Sequence, residues 1–449
     1  MNIVIRPGSI NHTNFRRLIH ITLLLLFLHL TVLQQIIQAQ FAGGDGTKEN
    51  PYQITNWFGL DTLRYFTNTA GKGKFLQLMN DLDSTTEGYD IMVRDSNGTL
   101  VNDGMGWSPL CVSSSAVYGF SGNLDGKGYH VNDLQFNHNQ FTYAGLFGII
   151  SENGTIKDLA VERATIKSLY SSGGLAGANS GTIINSSFSG TVSGNSNIGL
   201  LTGINRGLIS NCYTCGVVGS ISTNPQWIGG LVGLNDKNGI VSNCYAKANV
   251  SGFAYTGGLI GLDRGNIEYC YCTGTVSGTI YIGSLIGSSG GKYTSCFCDG
   301  PPAVGSTTTP DGIFVKTPEE LKVRSTFTDW DFTLVWDIKT GDSISFPFLR
   351  TVPQEPPPGI SKNNTRIILK SNLQRIPARL YAYKSGPILR LSNSFPHDTF
   401  FTLFDFYGRK IVSGALEGDV CTVGTLAKSS YILKIGENGN RCLITIVGK

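Results

Sequence analysis

Few side chains in this sequence could carry acid–base, nucleophilic or metal chemistry, and their spacing argues against all three. Of six histidines, three lie in the first 30 residues; the others are His130, His138 and His397. None sits in an H-E-x-x-H pattern, which excludes a zinc peptidase of that kind. Gly287-Ser288-Ser289-Gly290-Gly291 fits G-x-S-x-G around Ser289. That motif needs a strand-to-helix elbow with histidine and acid partners, and here it falls in the corner of a repeat. Asp125 lies in a turn sequence, Leu-Asp-Gly-Lys-Gly. Asp158, Asp236, Asp263 and Asp299 are scattered over different repeat units, mostly in turns. A hydrolytic site needs several such groups converging on one face. No phosphate-binding loop or dinucleotide fingerprint appears. We therefore assign no catalytic residue, no metal ligand and no cofactor.

Cysteine is the other reactive side chain. Cys270-x-Cys272 and Cys296-x-Cys298 have the spacing of metal ligands, but no histidine accompanies them and both pairs lie inside a repeat. Aligning the residue before the leucine of each Gly-Leu phrase gives Gly145, Gly174, Leu200, Gly230, Gly258 and Ser284, at intervals of 29, 26, 30, 28 and 26. A period of this size signals stacked structural repeats. Each unit is a set of short β-rich runs broken by Gly, Asn and Ser, with no helical stripe. Each therefore forms one coil of a parallel β-solenoid resting on its neighbours.

In such a stack, equal letters become touching side chains about 4.8 Å apart. Leu146, Leu175, Leu201, Leu231, Leu259 and Leu285 make a core column. The glycines beside them permit positive φ and close backbone approach. Asn179, Asn205, Asn235 and Asp263 share a turn position that suits left-handed backbone and local hydrogen bonds; stacked amides could also bond from coil to coil, with Asp263 interrupting them. Ser186, Cys212, Cys244, Cys270 and Cys296 align as a buried column of small groups. Disulfides between tiers are sterically open, although parallel Cβ vectors suit the S–S torsion poorly.

Alternation along a strand sends neighbours to opposite faces. If the cysteines point inward, Tyr213, Tyr245, Tyr271 and Phe297 point outward. A second aromatic column, Trp227, Tyr255 and Tyr281, lies at the corner before the Gly-Leu phrase. Both columns are candidate binding residues for a glycan or a protein surface. Their alternative role is to stack on one another and shield the sheet.

The chain has 449 residues, 15% of them charged, with 57 glycines and a net charge of +4. Arg6, Arg16 and Arg17 precede an uncharged apolar run ending near Ala39, the pattern of a secretory signal. Cleavage after Ala39 would leave 32 basic and 31 acidic side chains. A near-neutral protein lacks the clustered cations that nucleic-acid phosphates require. The expected organisation is a signal at 1–39, an N-terminal cap with the first coils at 40–118, repeats at 119–308 and a solenoid cap at 309–350. A proline-rich linker at 351–361 and a β-sandwich at 362–449 follow. Trp57, Leu60 and Leu63 share one face of a short helix in the N-terminal cap. Thr317, Pro318 and the glutamates after them mark a helix start in the second cap.

The phrases GGLVGLNDKNGIVSNCYAKANV (229–250), GGLIGLDRGNIEYCYCTGTV (257–276) and GLLTGINRGLISNCYTCGVV (199–218) resemble the GLUG-motif repeats of secreted bacterial proteins. The flanks FSGNLDGKGYHVNDL and WDFTLVWDIKTGDSISFPFLR are similar to those that bound such arrays. The resemblance covers about residues 41–350. It implies a right-handed parallel β-helix of surface or adhesin-like type, with no catalytic residues to carry over. FTLFDFYGRKIVSGAL (401–416) and LAKSSYILKI (426–435) resemble the C-terminal sorting domain of the type IX secretion system of Bacteroidetes-like bacteria. Ser429 stands where members of that family carry Gly. This second resemblance implies the type IX machinery as a partner, with release from, or association with, the outer-membrane surface. The expectation is thus a secreted or cell-surface, non-catalytic binding or structural protein. The alternative is a β-helix polysaccharide lyase or glycoside hydrolase, since fold alone does not decide function.

Overall fold

The computed structural model describes residues 40–112, 119–138, 142–220, 226–300, 310–340 and 344–352, and the strand backbone between 378 and 445. The expected signal segment, and the expected linker beyond Val352, lie outside the described residues. Among those described, no helix is long and apolar enough to cross a membrane.

Four parallel sheets run along the solenoid, and each complete coil of the central repeats adds one strand to each. In the coil that opens at Ala254 these are Ala254–Gly257, Ile260–Asp263, Asn266–Glu268 and Tyr271–Thr273. We name the sheets by what they carry: the corner sheet, the amide sheet, the short sheet and the tyrosine sheet. The corner sheet has five strands, ending with Ile280–Gly283, and the amide sheet has six. The short sheet has nine, from Tyr52–Ile54 to Lys292–Thr294. Pairing is in register from tier to tier: Tyr213 opposes Tyr245, Tyr245 opposes Tyr271, and Tyr271 opposes Phe297.

The short strands show why the stack holds. Ile183, Ile209, Val241 and Ile267 are the middle residues of three-residue strands; all are buried, while their neighbours on either side are not. Period-two alternation therefore gives each tier one inward β-branched side chain on this sheet. The leucine column from Leu146 to Leu285 is buried as expected and joins the same continuous core. The Gly-Lys phrase after Asp125 turns the chain between different sheets: Asn123–Asp125 pairs within the short sheet and His130–Asn132 within the tyrosine sheet.

The glycines of the Gly-Leu phrase need correction. They do not have positive φ. Their role is close approach: a Cβ on Gly233 would lie 2.4 Å from the Ile198 nitrogen and 2.5 Å from the Asn197 carbonyl carbon. Gly261 meets Trp227, and Gly287 meets Tyr255, in the same way. The second glycine of each phrase thus lets the amide sheet lie against the corner backbone one coil earlier.

The N-terminal end is covered by a helix, Trp57–Asp61, capped by the Asn56 side chain, which accepts from the Gly59 amide at 2.9 Å. Trp57, Leu60 and Leu63 are buried, as their spacing predicts. At the other end Ile313–Lys316 adds a last strand to the tyrosine sheet. Thr317 and Glu320 then cap each other, the carboxylate accepting from Thr317 N at 2.8 Å and Thr317 Oγ1 accepting from Glu320 N at 3.2 Å. The expected helix is a single 3₁₀ turn, Glu320–Lys322. Residues 356–449 form a separate unit. Its strands pair antiparallel in one sheet of three and one of four.

Candidate binding surface

Cys212, Cys244, Cys270 and Cys296 are buried free thiols on successive tiers. Cys244 Sγ donates to Ser242 O at 3.1 Å and accepts from Cys212 N at 3.4 Å. Cys270 Sγ repeats this with Glu268 O at 3.1 Å and Cys244 N at 3.4 Å. Ser186 does the same with its hydroxyl, donating to Ile184 O and accepting from Leu159 N. The column is therefore both core filling and a vertical hydrogen-bond relay. Burial pushes the Cys244 thiol well above its ordinary range, so it is no nucleophile.

The amide column is a second relay. Asn179 Nδ2 donates to Asn205 Oδ1 at 2.9 Å, Asn205 to Asn235 at 2.9 Å, and Asn235 to Asp263 at 2.7 Å. All four side chains are buried. Asp263 terminates this chain rather than interrupting it, because a carboxylate accepts and needs no further partner for an amide donor. These residues do not have left-handed backbone. That conformation falls to Asn185, Asn211 and Asn243, the residues before Ser186 and the cysteines. Asn211 Nδ2 donates to Asn185 Oδ1 at 3.2 Å, and Asn185 Nδ2 to Asp158 Oδ1 at 3.0 Å. The Asn of the Asn-Cys-Tyr phrase is the sequence signal of this outer amide ladder.

The expected outward tyrosine ladder exists, with Tyr213–Tyr245 ring centroids 5.0 Å apart and Tyr245–Tyr271 5.1 Å apart. As binding residues, however, Tyr213, Tyr245, Tyr271 and Phe297 are corrected: each is at most 2% exposed. The solenoid cap folds back over them. Phe327, Trp330, Phe332, Trp336 and Leu349 join the four rings in a second hydrophobic core. Tyr271 OH donates to Pro347 O at 2.5 Å, Trp336 Nε1 to Asn243 Oδ1 at 3.2 Å and Trp330 Nε1 to Ser295 O at 2.9 Å. The physical reason is area. An exposed strip of stacked aromatics is a large apolar patch, and covering it removes that surface from water.

The corner column is different. Tyr255 and Tyr281 stack with centroids 4.8 Å apart and planes 9° apart, and Tyr281 is 47% exposed. Trp227 packs beside Leu234 and Ile204 on the outer side of the amide sheet. All three have left-handed backbone, with φ of 61°, 52° and 53°. The same corner holds Ser171 and Asn197 in other coils, also left-handed. Bulky side chains there cost more than Asn. Ile280 and Phe253 are also exposed beside this column, at 42% and 37%.

Comparison with known proteins fits this architecture. The model of the GLUG motif matches residues 228–251. The chain is 36% identical over 154 residues to a putative Gly-rich membrane protein of Evansella cellulosilytica, covering 32% of this chain and 16% of that protein. It is 33% identical over 160 residues to halomucin of Haloquadratum walsbyi, covering 36% of this chain and 2% of that protein. It is 26% identical over 175 residues to an immunoglobulin A1 protease of Streptococcus sanguinis, covering 31% of this chain and 9% of that protein. The chain thus spans less than a fifth of each relative. Fold and motif together define a β-solenoid repeat protein. One of its repeats, at residues 228–251, matches the GLUG motif.

Proposed function

We propose that this protein is a secreted or cell-surface, non-catalytic β-solenoid that binds glycan through its corner aromatics, Trp227, Tyr255 and Tyr281. The names of the relatives, a membrane protein and a halomucin among them, support a surface location. One observation carries the binding assignment. Large aromatic rings occupy a left-handed corner that Asn197, a residue type better suited to that backbone, fills elsewhere in the stack. Backbone strain of this kind gathers at functional positions. Export by a type IX route belongs to the same reading and rests on the resemblance of residues 401–435 to a sorting domain.

Glycan-array screening of the full chain tests it. Wild type should bind a defined subset of glycans, and Tyr255→Asn and Tyr281→Asn should each lose at least tenfold in affinity. Asn is the natural occupant of that corner at position 197, so both variants keep the backbone. Unchanged glycan binding by both would overturn the assignment.

A further inference from the structure

We propose that His130 is a pH-operated latch: its protonated ring ties the N-terminal cap to the coil that follows, and the tie loosens as the ring loses its proton. The cap reaches the tyrosine sheet through one short segment. Leu82 bridges Val131 in parallel, with Leu82 N donating to His130 O at 2.8 Å and Asn132 N donating to Leu82 O at 2.7 Å. On its other side His130–Asn132 pairs with the strand Ala160–Ser168, His130 opposite Ala160 and Asn132 opposite Glu162. His130 thus lies between cap and coil, and each supplies a carboxylate. From the cap, Asp81 Oδ1 accepts from His130 N at 2.9 Å. From the coil, Glu162 Oε1 lies 3.5 Å from His130 Nδ1. The His130 and Glu162 side chains are 25% and 17% exposed, so salt screens this pair less than one on the open surface.

The charges around the ring set the direction of the switch. The hydrogen bond to Glu162, with the charges of Glu162 and Asp81, holds the His130 ring above the ordinary histidine value of about 6.5, against burial and the charge of Arg163. Arg163 is committed elsewhere: its Nε and Nη2 donate to Asp133 Oδ1 and Oδ2 at 2.6 and 3.0 Å. Asp133 in turn accepts from the amide of Ser84, in the cap segment, at 3.3 Å. A neutral imidazole therefore leaves Asp81 and Glu162 without the cation between them, and Arg163 does not replace it. A folded-state value above the unfolded one means that the tie is complete below about pH 6.5 and is lost as pH rises through the folded value. The cap is held in weak acid and loosened in alkali.

Hydrogen exchange of the full chain, followed by mass spectrometry and corrected for the intrinsic rate at each pH, tests the latch. Protection of residues 79–84 and 129–134 should fall at least threefold between pH 5.5 and 8.5, while residues 202–210, in the central tiers, change less than twofold. His130→Gln and Glu162→Gln should each flatten that fall to less than twofold. If either variant does not fold, the wild-type ring decides by itself: in an NMR titration His130 should lose its proton above pH 6.5. A ring that titrates at or below that value would overturn the latch. So would a wild-type cap whose protection does not change, an undiminished fall in the variants, or a fall of equal size in residues 202–210, which would mark loosening of the whole stack.

Discussion

At the scale of single residues, the recurrent polar letters act by passing hydrogen bonds from tier to tier. Cys244 Sγ both donates and accepts, so Cys244→Ser should leave stability nearly unchanged, as Ser186 already fills that place in its own tier. Cys244→Ala loses both bonds and adds no bulk. It should cost about 1–3 kcal/mol, the range for leaving a buried backbone group unsatisfied, measured by denaturant unfolding. Equal stability of the two variants would show that the thiol relay contributes nothing. Two carboxyls, the buried Asp263 and the half-buried Asp299, work against the fold. Burial lifts Asp299 to about 6, and it raises Asp263 against the opposing hydrogen bond from Asn235. A folded-state value above the unfolded one, about 3.9, means the native state binds the extra proton. Stability is then greatest below the unfolded value and declines as pH rises through the folded one. Asp299→Asn should therefore raise the melting temperature at pH 7.5 and leave it unchanged near pH 3.5. A gain of equal size at both would show that charge burial is not the cause.

At the scale of elements, close approach and covering surfaces decide what can vary. The second glycine of each Gly-Leu phrase faces the backbone of the preceding coil, where neither partner can move aside. Gly233→Ala should destabilise by about 1–3 kcal/mol, the usual cost of overpacking. The solenoid cap contributes differently, since its rings cover the tyrosine column. Trp336 contacts Tyr245 and Tyr271, with ring centroids 6.1 and 6.0 Å apart. Trp336→Ala should cost about 3–5 kcal/mol and raise binding of a hydrophobic dye to the folded protein. An unaltered unfolding midpoint would mean that the cap does not hold the column. The corner column runs the other way: relieving left-handed backbone, Tyr281→Asn should leave the melting temperature equal or higher while glycan affinity falls.

At the scale of the whole molecule, the stack spreads its stability over nearest-neighbour interfaces, and the separate unit after residue 355 carries the export reading. Deleting residues 362–449 should trap the protein in the periplasm, scored by surface protease accessibility; normal surface delivery would refute the type IX assignment. The period of 26 to 30 residues, the in-register leucine and cysteine columns and the N-terminal helix were all legible in the sequence. Each depends on spacing and on alternation, and both are local properties of the chain. Two things were not. Alternation correctly turned Tyr213, Tyr245, Tyr271 and Phe297 away from the core, yet it says nothing of what lies beyond the sheet. Trp330 and Trp336 reach those rings from 33 or more positions away in sequence, because the chain doubles back along the stack. Likewise the letters Asn179 to Asp263 promised turn residues, but left-handed backbone went to Asn185 and its equivalents, where the path bends. Sequence determined which side chains repeat, because a stacked coil rewards identity at a fixed interval. Only the tertiary structure decided which repeated faces meet water, because that depends on where a distant segment of the same chain comes to rest.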